Sequence, residues 1–121
     1  MSVTVDKTSR GSAEISWNPQ EDDPHGYLAR AIESDQLAYA LEAAGGPVEY
    51  EEADTALESA RHTAALAKLL ERRAAAQVVQ LRDTHGLSWR RIAEVLFEDP
   101  EKQSSVRRMY DSGRRTAGLP T

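Results

Sequence analysis

Apolar positions recur along this chain at two periods. Tyr27, Leu28, Ala31, Ile32, Leu37, Ala38 and Leu41 are spaced by threes and fours, which lays one apolar stripe along a helix. Asp23-Pro24 precedes that run as an N-cap followed by proline at the first helical position. Gly45-Gly46-Pro47 follows it as a stop. The pattern therefore predicts one helix over 24–44. Upstream, Val3 and Val5, then Ala13, Ile15 and Trp17, alternate weakly around the turn-like stretch 6–12. That is the period of a half-buried strand, so a loose N-terminal β-hairpin is compatible with the sequence. An isolated hairpin is marginal in water and needs something to pack on.

The longest periodic tract runs from 52 to 84 without glycine or proline. Leu66, Leu70, Ala74, Val78 and Leu81 trace one face, and Ala56, Leu57, Ala60, Ala64 and Ala67 extend the pattern upstream. One helix of that length spans roughly 45–50 Å at about 1.5 Å per residue. Two outcomes fit: a break near 61–63, or a single rod that pairs with a second subunit. His85-Gly86 closes the tract, with glycine suited to a left-handed cap. Ser88 then reads as the N-cap of a short helix carrying Trp89, Ile92, Ala93 and Leu96 on one face. Asp99-Pro100 repeats the cap-and-proline signature, and the last helix turns Val106, Met109 and Tyr110 inward before Gly113 and the tail end it. Phe97 is expected in the core, and Trp89 in partly buried packing.

The run Gly86-Leu87-Ser88-Trp89-Arg90-Arg91-Ile92-Ala93-Glu94-Val95-Leu96 resembles the helix-turn-helix family of DNA-binding proteins. It is most similar to the promoter-reading (region 4-like) domain of bacterial sigma factors. In that family a G-L-S-aromatic-x-x-I-A-x-x-L run leads into a recognition helix. The resemblance covers 76–115, and Gly86, Leu87, Ser88, Trp89, Ile92, Ala93 and Leu96 carry it. The chain departs from the family after Leu96. Where a glycine usually follows, it has Phe97-Glu98-Asp99-Pro100, and Val106 comes later than the usual spacing, so the turn is longer. The resemblance implies binding to double-stranded DNA.

Charge adds to this picture. Residues 1–60 hold Lys7, Arg10 and Arg30 against thirteen acids, whereas 61–121 hold twelve Lys and Arg against seven acids. Such asymmetry fits a basic nucleic-acid surface beside an acidic partner-binding half, or simply two solvated surfaces of opposite sign. With Val106 inward, a rotation of about 100° per residue points Ser104, Arg108 and Arg115 away from the core, with Ser105 and Arg107 flanking. Lys102 and Gln103 lie in the first turn. Arginine can address guanine bidentately, glutamine adenine, and serine a base or a phosphate. Ser88, Arg90 and Arg91 at the preceding helix N-terminus suit phosphate. The candidate DNA-binding residues are thus Ser88, Arg90, Arg91, Lys102, Gln103, Ser104, Ser105, Arg107, Arg108 and Arg115.

Other chemistry finds little in the chain. There is no cysteine, which excludes disulfides, cysteine–zinc sites, iron–sulfur clusters and thiol catalysis. There is no GxxxxGK[ST] loop, GxSxG elbow or HExxH helix. Glu58 and His62 have a metal-compatible spacing but no further histidine or cysteine ligands nearby. Neither an enzyme activity nor a cofactor is expected. No apolar signal-like start or membrane-length stretch is present, so a cytoplasmic location is the default expectation. The expected fold class is all-α, with the helix-turn-helix in the C-terminal half and an optional N-terminal β-hairpin. The expected layout is an arm at 1–22, an acidic helical scaffold serving dimerisation at 23–65, the DNA-binding region at 66–116 and a tail at 117–121. The expected function is that of a small bacterial or phage transcription regulator, a homodimer on double-stranded DNA. The alternative is a protein-interaction adaptor, antitoxin-like or sigma-binding, whose working surface is the acidic half.

Overall fold

The computed structural model describes residues 3–46 and 48–118. Pro47 and residues 119–121, which the sequence assigns to a helix stop and the tail, lie outside the described residues. The described chain is 61% helical, with five helices and one antiparallel hairpin. It divides into two compact units, Met1–Leu66 and Ala67–Thr121.

In the first unit β1 (Thr4–Ser9) pairs with β2 (Ser12–Ser16), with Val5 opposite Ile15. The turn is tighter than the alternation suggests: the strands run on until Arg10 and Gly11. Gly11 has φ +80°, a left-handed conformation that glycine adopts without a Cβ penalty. Every β1 residue is exposed, and Asp6 stands opposite Glu14, a like-charge pair.

The expected helix over 24–44 is two helices, α1 (Tyr27–Glu33) and α2 (Gln36–Ala44). The Ser34 hydroxyl bonds the Arg30 carbonyl, and Asp35 adopts φ +64°. Serine and aspartate compete with the helical backbone in this way, and here they break it. The helix also starts later than Pro24. Asp23 does cap it, but from a distance, its two carboxylate oxygens accepting from the Leu28 N–H at 2.8 Å and the Ala29 N–H at 2.9 Å. Tyr27 and Leu41 of the predicted stripe are exposed, whereas Ala31 is buried.

The third helix, α3 (Ala53–Asp83), is continuous through 61–63, so of the two outcomes the sequence left open the break does not occur. Its first part, to Leu66, belongs to the first unit. There His62 is 8% exposed, stacked on Tyr39 with ring centroids 5.3 Å apart. Its Nε2 lies 3.0 Å from Glu58 Oε1.

The second unit is built from the rest of α3, α4 (Trp89–Phe97) and α5 (Gln103–Thr116). Val78, Ile92, Ala93 and Val106 form its buried centre, with Leu81, Leu87, Trp89, Met109 and Tyr110 packed around them. The closure of α3 follows the sequence. Gly86 has φ +65°, and the Leu87 N–H bonds the Leu81 carbonyl at 3.0 Å. Two expectations fail at α5. Residues 100–102 form a turn rather than a first helical turn, held by the Lys102 N–H on the Asp99 carbonyl, so α5 begins at Gln103. Gly113 lies inside α5 and is buried. Two apolar residues expected inside, Leu96 and Phe97, are 41% and 39% exposed, and Leu70 is 59% exposed. Of α4, only Ile92 and Ala93 are fully buried. No helix among the described residues is long and apolar enough to cross a membrane.

Candidate nucleic-acid interface

The second unit carries eleven Lys and Arg against seven Asp and Glu, a net of +4. Its candidate face starts at Ser88, whose Oγ accepts the Arg91 N–H at 3.0 Å and caps α4 as predicted. That hydroxyl keeps its own proton to donate. Trp89 follows, edge-on to Tyr110 at 5.2 Å, with the Arg82 guanidinium 4.4 Å and the Arg107 guanidinium 5.4 Å from its ring. Arg82 also donates to the Leu87 carbonyl at 2.9 Å, which ties the turn before α4 to α3. Trp89 is thus a packing residue that also orients Arg107.

The other predicted residues separate into two groups. Arg90 reaches Glu101 at 3.3 Å and Arg91 reaches Glu94 at 3.7 Å, both on exposed side chains. These are weak, screened pairs that a phosphate could replace. Gln103 is half-buried, and its amide donates to the Pro100 carbonyl at 3.4 Å, so part of its donor capacity is spent locally. Ser105 is half-buried and receives Arg108 Nη2 at 3.4 Å. By contrast Lys102, Ser104, Arg107, Arg108 and Arg115 are exposed. Among the described residues, Lys102, Arg107, Arg108 and Arg115 form no ion pair.

Arg114 shows what the neighbouring side of α5 does instead. Its guanidinium bonds Asp83 at 2.9 Å and the Tyr110 hydroxyl at 3.1 Å, while that hydroxyl donates to Asp83 at 2.6 Å. This triad clamps α5 to the end of α3. Sequence reasoning missed it because Asp83 and Arg114 are far apart in the chain. It also left out Asp111, exposed on the same helix, which at about 100° per residue falls about 20° from Ser104, on the side away from Arg115. That carboxylate repels phosphate but can accept from a cytosine amino group.

Glu58 and His62, the metal-compatible pair, are engaged with each other, and Arg61 also bonds Glu58. No group of three metal-ligating side chains occurs among the described residues. No family model, curated protein or solved structure matches the chain.

Proposed function

We propose that the second unit is a helix-turn-helix module that reads double-stranded DNA, with α5 as the recognition helix and the chain acting as a small transcription regulator. The observation that carries this reading is the outward face of α5. Opposite buried Val106 stand Ser104, Arg108 and Arg115, with Arg107 flanking, all exposed and outside any ion pair among the described residues. Exposed arginines without a carboxylate partner, on a helix anchored by its other side, are what major-groove docking uses. The turn into α4 adds support: a capped N-terminus with Arg90 and Arg91 suits a phosphate. Ala93, fully buried, lets α4 and α5 cross closely. The working form on this reading is a homodimer, whose two recognition helices address half-sites about 34 Å apart.

The adaptor reading has one observation of its own. Leu70, Val95, Leu96 and Phe97 leave apolar surface uncovered on the second unit. Selection of bound duplexes from a random pool separates the two. A symmetric consensus supports the dimeric regulator, and no enrichment favours the adaptor. At the selected site Arg108→Ala is expected to cost about 1–3 kcal/mol. Unchanged affinity in Arg107→Ala plus Arg108→Ala removes α5 from the role.

A further inference from the structure

Within the second unit, α3, the end of α4 and α5 line an open groove of about 790 Å³. That lies within the range of about 300–1,000 Å³ typical of small-molecule sites. Its apolar lining is Ala75, Met109 and Phe97. Phe97 is 39% exposed, a ring the fold leaves uncovered. Lys68, Arg72 and Arg108 line the same groove, with Glu71 as its one acid, a net of +2. None of the three cations forms an ion pair among the described residues.

This combination narrows the occupant. An inorganic anion would satisfy the cations and leave the Phe97 ring wet. A neutral apolar molecule would cover the ring and leave three cations without a counter-charge. A molecule with one anionic head and an apolar body uses both parts of the lining. We propose that this groove binds a free amphipathic organic monoanion, an aryl or acyl carboxylate or sulfonate. The apolar body rests on Phe97 and Met109, and the head lies among Lys68, Arg72 and Arg108. One consequence rests on the DNA reading above. Arg108 cannot serve a bound anion and a duplex at once, so the ligand and DNA oppose each other, each lowering the other's affinity by the same factor.

The test uses the full chain and two fluorescent probes, anionic 1-anilinonaphthalene-8-sulfonate and neutral N-phenyl-1-naphthylamine. Saturable binding of the anionic probe is expected. Lys68→Gln with Arg72→Gln is expected to weaken it about tenfold, or about 1.4 kcal/mol, while leaving the neutral probe within about twofold. Phe97→Ser is expected to weaken both probes. Thermal melts establish that each variant is folded, and the exposed Lys68/Arg72 pair keeps the test decisive if Phe97→Ser is not. Absence of saturation, or anionic binding indifferent to the double substitution, overturns the proposal. So does binding of an acidic amphipathic peptide where both probes fail, which assigns the groove to a protein partner. The probe arm contains no DNA, so intact probe binding without any duplex binding sinks the DNA reading alone. Duplex affinity unchanged at probe saturation sinks the antagonism.

Discussion

A single missing methyl group governs how α5 lies on α3. A Cβ built on Gly113 would stand 2.6 Å from the Ala75 carbonyl oxygen and 2.8 Å from Val79 Cγ2. Helix propensity alone favours alanine over glycine by about 0.8–1.0 kcal/mol. The obstacle is backbone, which cannot swing aside as a side chain does, and overpacking of this kind costs about 1–3 kcal/mol. Gly113→Ala is therefore expected to destabilise the second unit, by up to about 2 kcal/mol in urea unfolding; a stabilised variant would show that the helices are not this close. Glu98 presents the opposite case. It ends α4 at φ +55°, where an L-residue is strained and no interaction holds its side chain among the described residues. Glu98→Gly removes that strain at the cost of chain entropy, with an expected net gain of about 0.5–1 kcal/mol by the same measurement.

At the scale of elements, the legible features were those fixed by local chemistry. Gly86, Ser88 and the inward Ile92, Ala93 and Val106 follow from capping rules and helical period, and the structure has all of them. The missed features depend on what lies across space. Nothing local shows that Leu70, Leu96 and Phe97 find no covering neighbour, or that Gly113 faces a carbonyl rather than solvent. Of the candidate interface, the exposure of Ser104, Arg108 and Arg115 was readable by wheel arithmetic. The Arg90–Glu101 pair and the Asp83–Arg114–Tyr110 clamp were not. The α1 boundary lies between the two cases, since Asp23 was recognised as a cap but its reach was not. Burial raises the Asp23 pKa, but hydrogen bonds from the Leu28, Ala29 and Tyr27 N–H groups outweigh it, aided by His25, and hold it below its ordinary 3.8. A folded pKa below the unfolded one means the stabilisation is complete above about 3.8 and is lost as pH falls through the folded value. Acid titration of the helical signal should therefore lose α1 stability in that window. Asp23→Asn should flatten that part of the titration, and an unaltered profile would remove the carboxylate from the cap.

At the scale of the whole molecule, the chain carries a net −5, which by itself repels a duplex. Any DNA affinity must come from a local cation set strong enough to overcome that field, and the salt dependence counts the set. Each phosphate contact contributes about 0.9 to the slope of log affinity against log salt. If α5 supplies the contacts, replacing Arg107, Arg108 and Arg115 by glutamine should flatten the slope by about 2–3 in total. Lys7, Arg10 and Arg30, the cations of 1–60, should leave it unchanged when replaced in the same way, although net charge falls by an equal amount. The two triple variants share a net charge of −8, so a difference between them isolates position from overall charge. Equal flattening in both would mean that a diffuse field binds the duplex, and that the exposed face of α5 is an ordinary solvated surface. Flattening confined to the first variant ties the affinity to the helix whose other side is held by Val106, Gly113 and the Asp83 clamp.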